Sequence, residues 1–186
     1  MSNCGVVKLD SMQTRAVNIV SNCEDTVLGA LETLVSISRT CQNQARFWDS
    51  GSSYPNWIDS WCTVHARATR RSGHSTALME FIARNRVDSA VFSHNARQLE
   101  FHRNMCNATL RDHSIDHIEW PQMTEADGFN IHFLLSSRSC WGLGLEPTYV
   151  FVDCASHLSN EDMENIKEFA SSACNRHREF FLIFLQ

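Results

Sequence analysis

Residues Thr69-Arg70-Arg71-Ser72-Gly73-His74-Ser75-Thr76 have the types and spacing of a loop that grips phosphate. Gly73 supplies backbone freedom for close approach, and Ser75 and Thr76 supply hydroxyls. The stretch lies where a strand-like run, Thr63 to Ala68, passes into a helix-like run, Ala77 to Ala83. In that setting successive backbone N–H groups turn toward an anion, and the helix dipole favours negative charge. The stretch departs from the pattern G-x-x-x-x-G-K-[ST] at two places, with Ala68 for the first Gly and His74 for the Lys. An imidazole is shorter than a lysine and mostly neutral near pH 7. Lys8 and Lys167 are the only lysines among 16 basic residues, so the local cation must be Arg70 or Arg71. Guanidinium pairs with phosphate bidentately but is larger and planar, which makes the exchange chemically unequal. The candidate phosphate contacts are therefore Arg70, Arg71, Ser72, Gly73, His74, Ser75 and Thr76.

A second element carries complementary chemistry. Tyr149-Val150-Phe151-Val152-Asp153 is an apolar run that ends in a carboxylate, the form of a strand whose aspartate holds magnesium through water. Ser75 and Asp153 are the candidate magnesium ligands, and Asp153 and Arg71 the candidate catalytic residues. Cys154-Ala155-Ser156 follows, so no second carboxylate stands next to Asp153 to orient an attacking water.

Other constellations carry less. His113 with His117, and Cys174 with His177, allow a mixed zinc site on paper, but the intervening residues lack a finger framework. Trp48, Trp57, Trp61 and Phe47 offer stacking faces for a base, with Gln42 or Gln44 to read its edge. Packing of helices onto a sheet is the commoner use of such aromatics. Asn160, Glu161, Glu164 and Glu168 form a solvated helix face. Cys154 at a strand end admits a thiol nucleophile, although no histidine is placed beside it by sequence.

These residues need a scaffold. At 186 residues, 43% hydrophobic and 20% charged, the chain can bury one substantial core. A formal net charge of -5 gives no global attraction to nucleic acid or anionic membrane. The eight cysteines are scattered without a C-x-x-C pair, which predicts reduced thiols and a cytoplasmic protein. The longest strongly apolar run, Phe180 to Leu185, is too short to span a bilayer.

Residues 11 to 41 read as helical, with Val27, Leu28, Leu31, Leu34 and Val35 on one face. A second helix starts at Asn22 or Glu24-Asp25. Turn formers from Asp49 to Asn56 then mark a boundary between a helical extension, 1–60, and an α/β core, 61–186. Within the core, strands are predicted at 63–68, 88–93, 115–120, 131–135, 149–153 and 180–185. Helices are predicted at 75–85, 96–105 and 160–172. Such alternation specifies a mostly parallel, doubly wound sheet.

The order of these elements resembles the P-loop NTPase core of phage large terminases and related helicases, over about residues 61 to 186. The loop at 68–76 and the Tyr149 to Asp153 strand correspond to its Walker A and Walker B motifs. Val91 to Phe101 resembles its second strand, polar loop and helix, Arg138 to Gly144 its Arg- and Gly-containing turn, and Phe181 to Gln186 its strand ending in a polar residue. The resemblance implies a RecA-like three-layer α/β fold, ATP or another NTP with magnesium as cofactors, and a viral role in DNA processing or packaging. Nucleotide, DNA, and a viral or host protein are the implied partners. His74 and Cys154 imply weak or no hydrolysis. The alternative is a degenerate, non-hydrolysing scaffold that binds a protein or nucleic acid.

Overall fold

The computed structural model describes residues 8–9, 16–19, 24–48, 51–68, 72–138, 143–153 and 155–186. Five helices and nine strands follow one another as β1 (Lys8–Leu9), β2 (Ala16–Ile19), α1 (Glu24–Trp48), α2 (Tyr54–Trp57), β3 (Thr63–Ala68), α3 (His74–Asn85), β4 (Ser89–Ser93), α4 (Ala96–Asp112), β5 (His117–Trp120), β6 (Met123–Ala126), β7 (Phe129–Leu135), β8 (Tyr149–Val152), α5 (Asn160–Ala173) and β9 (Phe181–Leu185). A π-helical turn, Ile58–Cys62, leads into β3. One sheet holds all nine strands in the order β1-β2-β3-β9-β8-β4-β7-β6-β5. The six strands from β2 to β7 in that order run parallel, while β1 at one edge and β6 and β5 at the other are antiparallel.

Side chains that alternate along the central strands divide the core into two layers. On β8, Tyr149 and Phe151 join the cluster under α1, α3 and α4; Val150 and Val152 join the one under α5. On β9, Phe181, Ile183 and Leu185 face the first cluster, and Leu182 and Phe184 face the second. Because both faces are covered, these strands read as continuous apolar runs. Helices on two sides of a mostly parallel sheet make the three-layer α/β architecture that the alternating sequence implied.

The amino-terminal part departs from its helical expectation. Residues 16–19 form β2, paired in parallel with β3 from Ala16 opposite His65 to Ile19 opposite Ala68. Four residues are too few for helical spacing to be told from strand alternation. The α1 face of Val27, Leu28, Leu31, Leu34 and Val35 is buried as the spacing required, in the same cluster as α3 and the sheet. Lower on α1 the inward positions become polar. Ser38 Oγ donates to Trp61 O at 3.0 Å, and Gln42 Nε2 donates to Phe180 O at 2.7 Å.

Two more boundaries moved. The α4 helix continues to Asp112, because Cys106, Thr109 and Leu110 extend its buried stripe. The short strand β6 had no apolar run to announce it. It pairs with β7 across a two-residue loop, Asp127-Gly128, in which Gly128 takes φ 83°, a left-handed conformation that suits glycine. No helix among the described residues is long and apolar enough to cross a membrane.

Candidate functional site

Parallel strands place their carboxyl ends along one edge, and there β3 feeds α3, β4 feeds α4 and β8 ends at Asp153. Strand β9 lies between β3 and β8. The start of α3 and the end of β8 therefore meet across one intervening strand, and Ser75 Oγ donates to Asp153 Oδ2 at 2.7 Å. Residues 78 positions apart in sequence are thus brought together.

The first turn of α3 opens on glycine. Gly73 is its N-cap, with φ 75° and ψ 22°, and no side chain among the described residues caps the start of the helix. A Cβ is disfavoured at that dihedral pair, so glycine permits the chain to enter the helix there. The N–H groups of His74, Ser75 and Thr76 lie in this uncapped turn, where intrahelical acceptors are lacking. Ser72, immediately before it, is 1% exposed, and its hydroxyl finds no hydrogen-bond partner among the described residues. An orphaned buried hydroxyl beside open helix amides fits a phosphate-bearing ligand. Arg70, Arg71 and Cys154 lie outside the described residues, as do residues 139–142 of the Arg- and Gly-containing turn.

Asp153 is the hub of the site. It is 1% exposed, and three side chains, His74, His102 and Ser75, meet its two oxygens. His74 Nε2 approaches Oδ1 at 3.0 Å, while His102 Nε2, from the middle of α4, approaches Oδ2 at 2.6 Å. Ser75 shares Oδ2, and Ser93 Oγ, at the end of β4, meets His102 Nδ1 at 2.8 Å. Burial pushes the Asp153 carboxyl up, but the hydrogen bonds from His102 and His74 outweigh that and hold it well below the usual carboxylate range. The carboxylate is therefore ionised throughout the neutral range.

This geometry bears on the missing lysine. His74 does not stand in for a cation reaching outward along the loop; its ring turns onto Asp153. The residues nevertheless suit magnesium in type, since an ionised carboxylate and a hydroxyl converge at the start of α3. Ser75 and Asp153 are the residues that would hold the ion.

Ser93 and His102 were not singled out by sequence. His102 lies within the inward stripe of α4 with Leu99, Cys106 and Leu110, and a histidine in that position signals only that something polar must lie opposite. The neighbouring His94 contributes differently. Its amide donates to Gln98 Oε1 at 3.0 Å, its ring packs 5.8 Å from that of His157, and Asn95 caps α4 by accepting from Gln98 N at 2.9 Å.

The remaining sequence candidates fall elsewhere. Gln42 is bound to both backbone groups of Phe180, just before β9 begins, so it lies a strand length of about 15 Å from the carboxyl-end edge. A base-reading role is thereby excluded for it. Trp57 is buried against Trp61, with Arg176 5.5 Å from its ring, and both tryptophans pack rather than stack on a ligand. Phe47, 87% exposed in the last turn of α1, lies at the same far edge. His113 binds Glu80 at 3.0 Å on the side of α3 and α4, whereas Cys174 is buried in the cluster under α5. The zinc set is thus split between the two faces of the sheet. Among the described residues no group of three His, Cys, Asp or Glu side chains is arranged to hold a metal ion.

The layers, strand order and carboxyl-edge site define a RecA-like α/β fold. Among solved structures, the chain is similar to the N-terminal domain of the DNA packaging ATPase from bacteriophage phi29, with a TM-score of 0.52 and 15% identity over 67% of this chain and 72% of that one. It is also similar to a chain of the bacteriophage Phi-29 viral genome packaging motor assembly, with a TM-score of 0.48 and 11% identity over 70% of this chain and 45% of that one. At such identity the first likeness is one of fold. No family model and no curated protein matches the chain.

Proposed function

We propose that the protein binds a nucleoside triphosphate, ATP or another, with magnesium at the start of α3, and that it serves phage-type DNA packaging or processing with weak or no hydrolysis. The observation that carries this reading is the Ser75–Asp153 hydrogen bond, which joins the hydroxyl of the phosphate cradle to the carboxylate at the end of β8. Gly73 and the open amides of the first turn of α3 would hold the phosphates, with Ser72 and Thr76 beside them. Arg70 or Arg71 would supply the cation that His74 does not. Magnesium, when bound, supplies charge neutralisation on the phosphates, and Ser75 and Asp153 are the residues that would position it. DNA and a viral or host protein are the partners in keeping with the fold shared with a phage packaging ATPase domain.

A second reading, a non-hydrolysing scaffold, is favoured by two observations. His74 occupies Asp153 Oδ1, and Cys154-Ala155-Ser156 offers no carboxylate to orient water. Titration calorimetry separates the two. Magnesium-dependent heats with ATP or GTP at millimolar affinity or tighter support nucleotide binding, and heats absent with both would overturn it. Robust ATP turnover that disappears in Asp153→Ala would instead reject the scaffold.

A further inference from the structure

The nucleotide reading accounts for the loop and for Asp153 but leaves a buried histidine on a neighbouring helix unexplained. His102 and Ser93 are each 0% exposed, and they join α4 and the end of β4 to the carboxylate in one chain of hydrogen bonds, Ser93 Oγ to His102 Nδ1 and His102 Nε2 to Asp153 Oδ2. We propose that His102 is a positioning residue: its Nε2–H fixes Asp153 Oδ2 beside Ser75, and Ser93 fixes the ring.

Three features support the assignment. First, both ring nitrogens are committed. With Nε2–H given to the carboxylate, Nδ1 accepts from the Ser93 hydroxyl, so the ring has one tautomer and one orientation. Second, His102 stands in an otherwise inward stripe of α4 with Leu99, Cys106 and Leu110. An apolar side chain there would fill the space without the desolvation of an imidazole, so what the histidine adds is its donor. Third, Asp153 Oδ2 receives two donors from different elements, His102 from α4 and Ser75 from α3, while Oδ1 faces His74. Donors on both oxygens prevent the carboxylate from turning away. This is how a partner behind a ligand orients the ligand itself. Ser93 itself has no surface on which to meet a substrate, so the Ser–His–Asp chain does not act as a nucleophile relay.

The hydrogen-bond part of this inference stands on the protein alone; its consequence for magnesium rests on the proposed nucleotide site. The experiment therefore has two arms on the full chain. In the first, long-range nitrogen–proton NMR of the imidazoles at neutral pH reads the His102 tautomer. A protected Nε2–H that shifts in Asp153→Asn is expected, and an Nδ1–H tautomer or a ring exchanging freely with water would overturn the proposal whatever the protein binds. In the second, ATP affinity is measured with magnesium and with chelator for His102→Leu, His102→Gln and Ser93→Ala. Loss of an outer-shell partner typically lowers metal affinity about 10–100-fold, so His102→Leu is expected to lose about that much of the magnesium-dependent gain, with affinity in chelator unchanged. The Gln amide carries an N–H at the same reach as Nε2, so His102→Gln is expected to retain most of the gain, with Ser93→Ala intermediate. Full retention in His102→Leu, or equal losses in both media, would overturn the positioning role. Should the wild type bind no nucleotide, the site reading fails and the first arm still decides the hydrogen bond.

Discussion

Replacing Asp153 with Asn should cost folding stability in a pH-dependent way. The carboxylate is buried and accepts from His102, His74 and Ser75. Hydrogen bonds to a charged group contribute about 1.5–3 kcal/mol each and neutral ones about 0.5–1.5. In the amide, one oxygen can keep His102 and Ser75, each bond weakened by about 1 kcal/mol, while the new NH₂ faces His74, whose ring can present its other tautomer. The expected loss is therefore about 2–3 kcal/mol at pH 7, or roughly 5–10 °C in Tm for a domain of this size. Asp153→Ala should cost more, about 3–5 kcal/mol, because it leaves three donors without their acceptor, the fully buried His102 among them. Urea unfolding at a series of pH values measures both. The native carboxyl is held below its ordinary value of 3.8, so its contribution is fully present above that pH and is lost as pH falls through the native value. The gap between wild type and Asp153→Asn should accordingly be constant from pH 5 to 7 and narrow below about pH 4. An unchanged urea midpoint in Asp153→Asn, or a gap that widens in acid, would refute the hydrogen-bonded hub.

Three further outcomes follow from the core. Phe169 is 1% exposed and meets Phe92 edge-on at 5.3 Å, so Phe169→Ala should destabilise by about 3–5 kcal/mol in the same unfolding assay. His65, stacked on Phe184 at 5.0 Å, and His132 are both partly buried, and burial lowers their affinity for protons. The unfolded chain then takes up protons first, so Tm should fall as pH drops from 6.5 through the native values, and His65→Gln with His132→Gln should flatten that slope. Burial pushes the Cys106 thiol up to about 12, so Cys106 should resist thiol reagents in the native protein while the half-buried Cys41 reacts, as mass spectrometry of labelled peptides can follow.

How much of this was legible in the sequence depended on where the information lies. Thr63 to Ala68 appeared as β3 at its predicted bounds, and α5 and β9 came within a residue of theirs, since continuous apolar runs and turn residues are local signals. Ser75 and Asp153 were expected to share a magnesium ion, and their side chains meet directly at the carboxyl-end edge. The two histidine partners of Asp153 were not foreseen. His102 enters the site only because α4 crosses above the end of β4 with that residue inward, and no local pattern in residues 96–112 says which strand lies beneath it. Gln42 failed for the same reason: its type suited a base, but the direction of α1 carried it to the opposite edge. The strands β2 and β6 each have four residues and draw their pairing from neighbours rather than from their own composition.

The central claim is that phosphate is received at the start of α3, opposite Asp153. Amide NMR of the protein during titration with magnesium and a non-hydrolysable ATP analogue tests it most directly. Shifts concentrated at Ser72 to Thr76 and at Asp153, lost when magnesium is chelated and in Ser75→Ala, are the expected result. Saturable binding that leaves those amides unmoved while shifting others would contradict the claim.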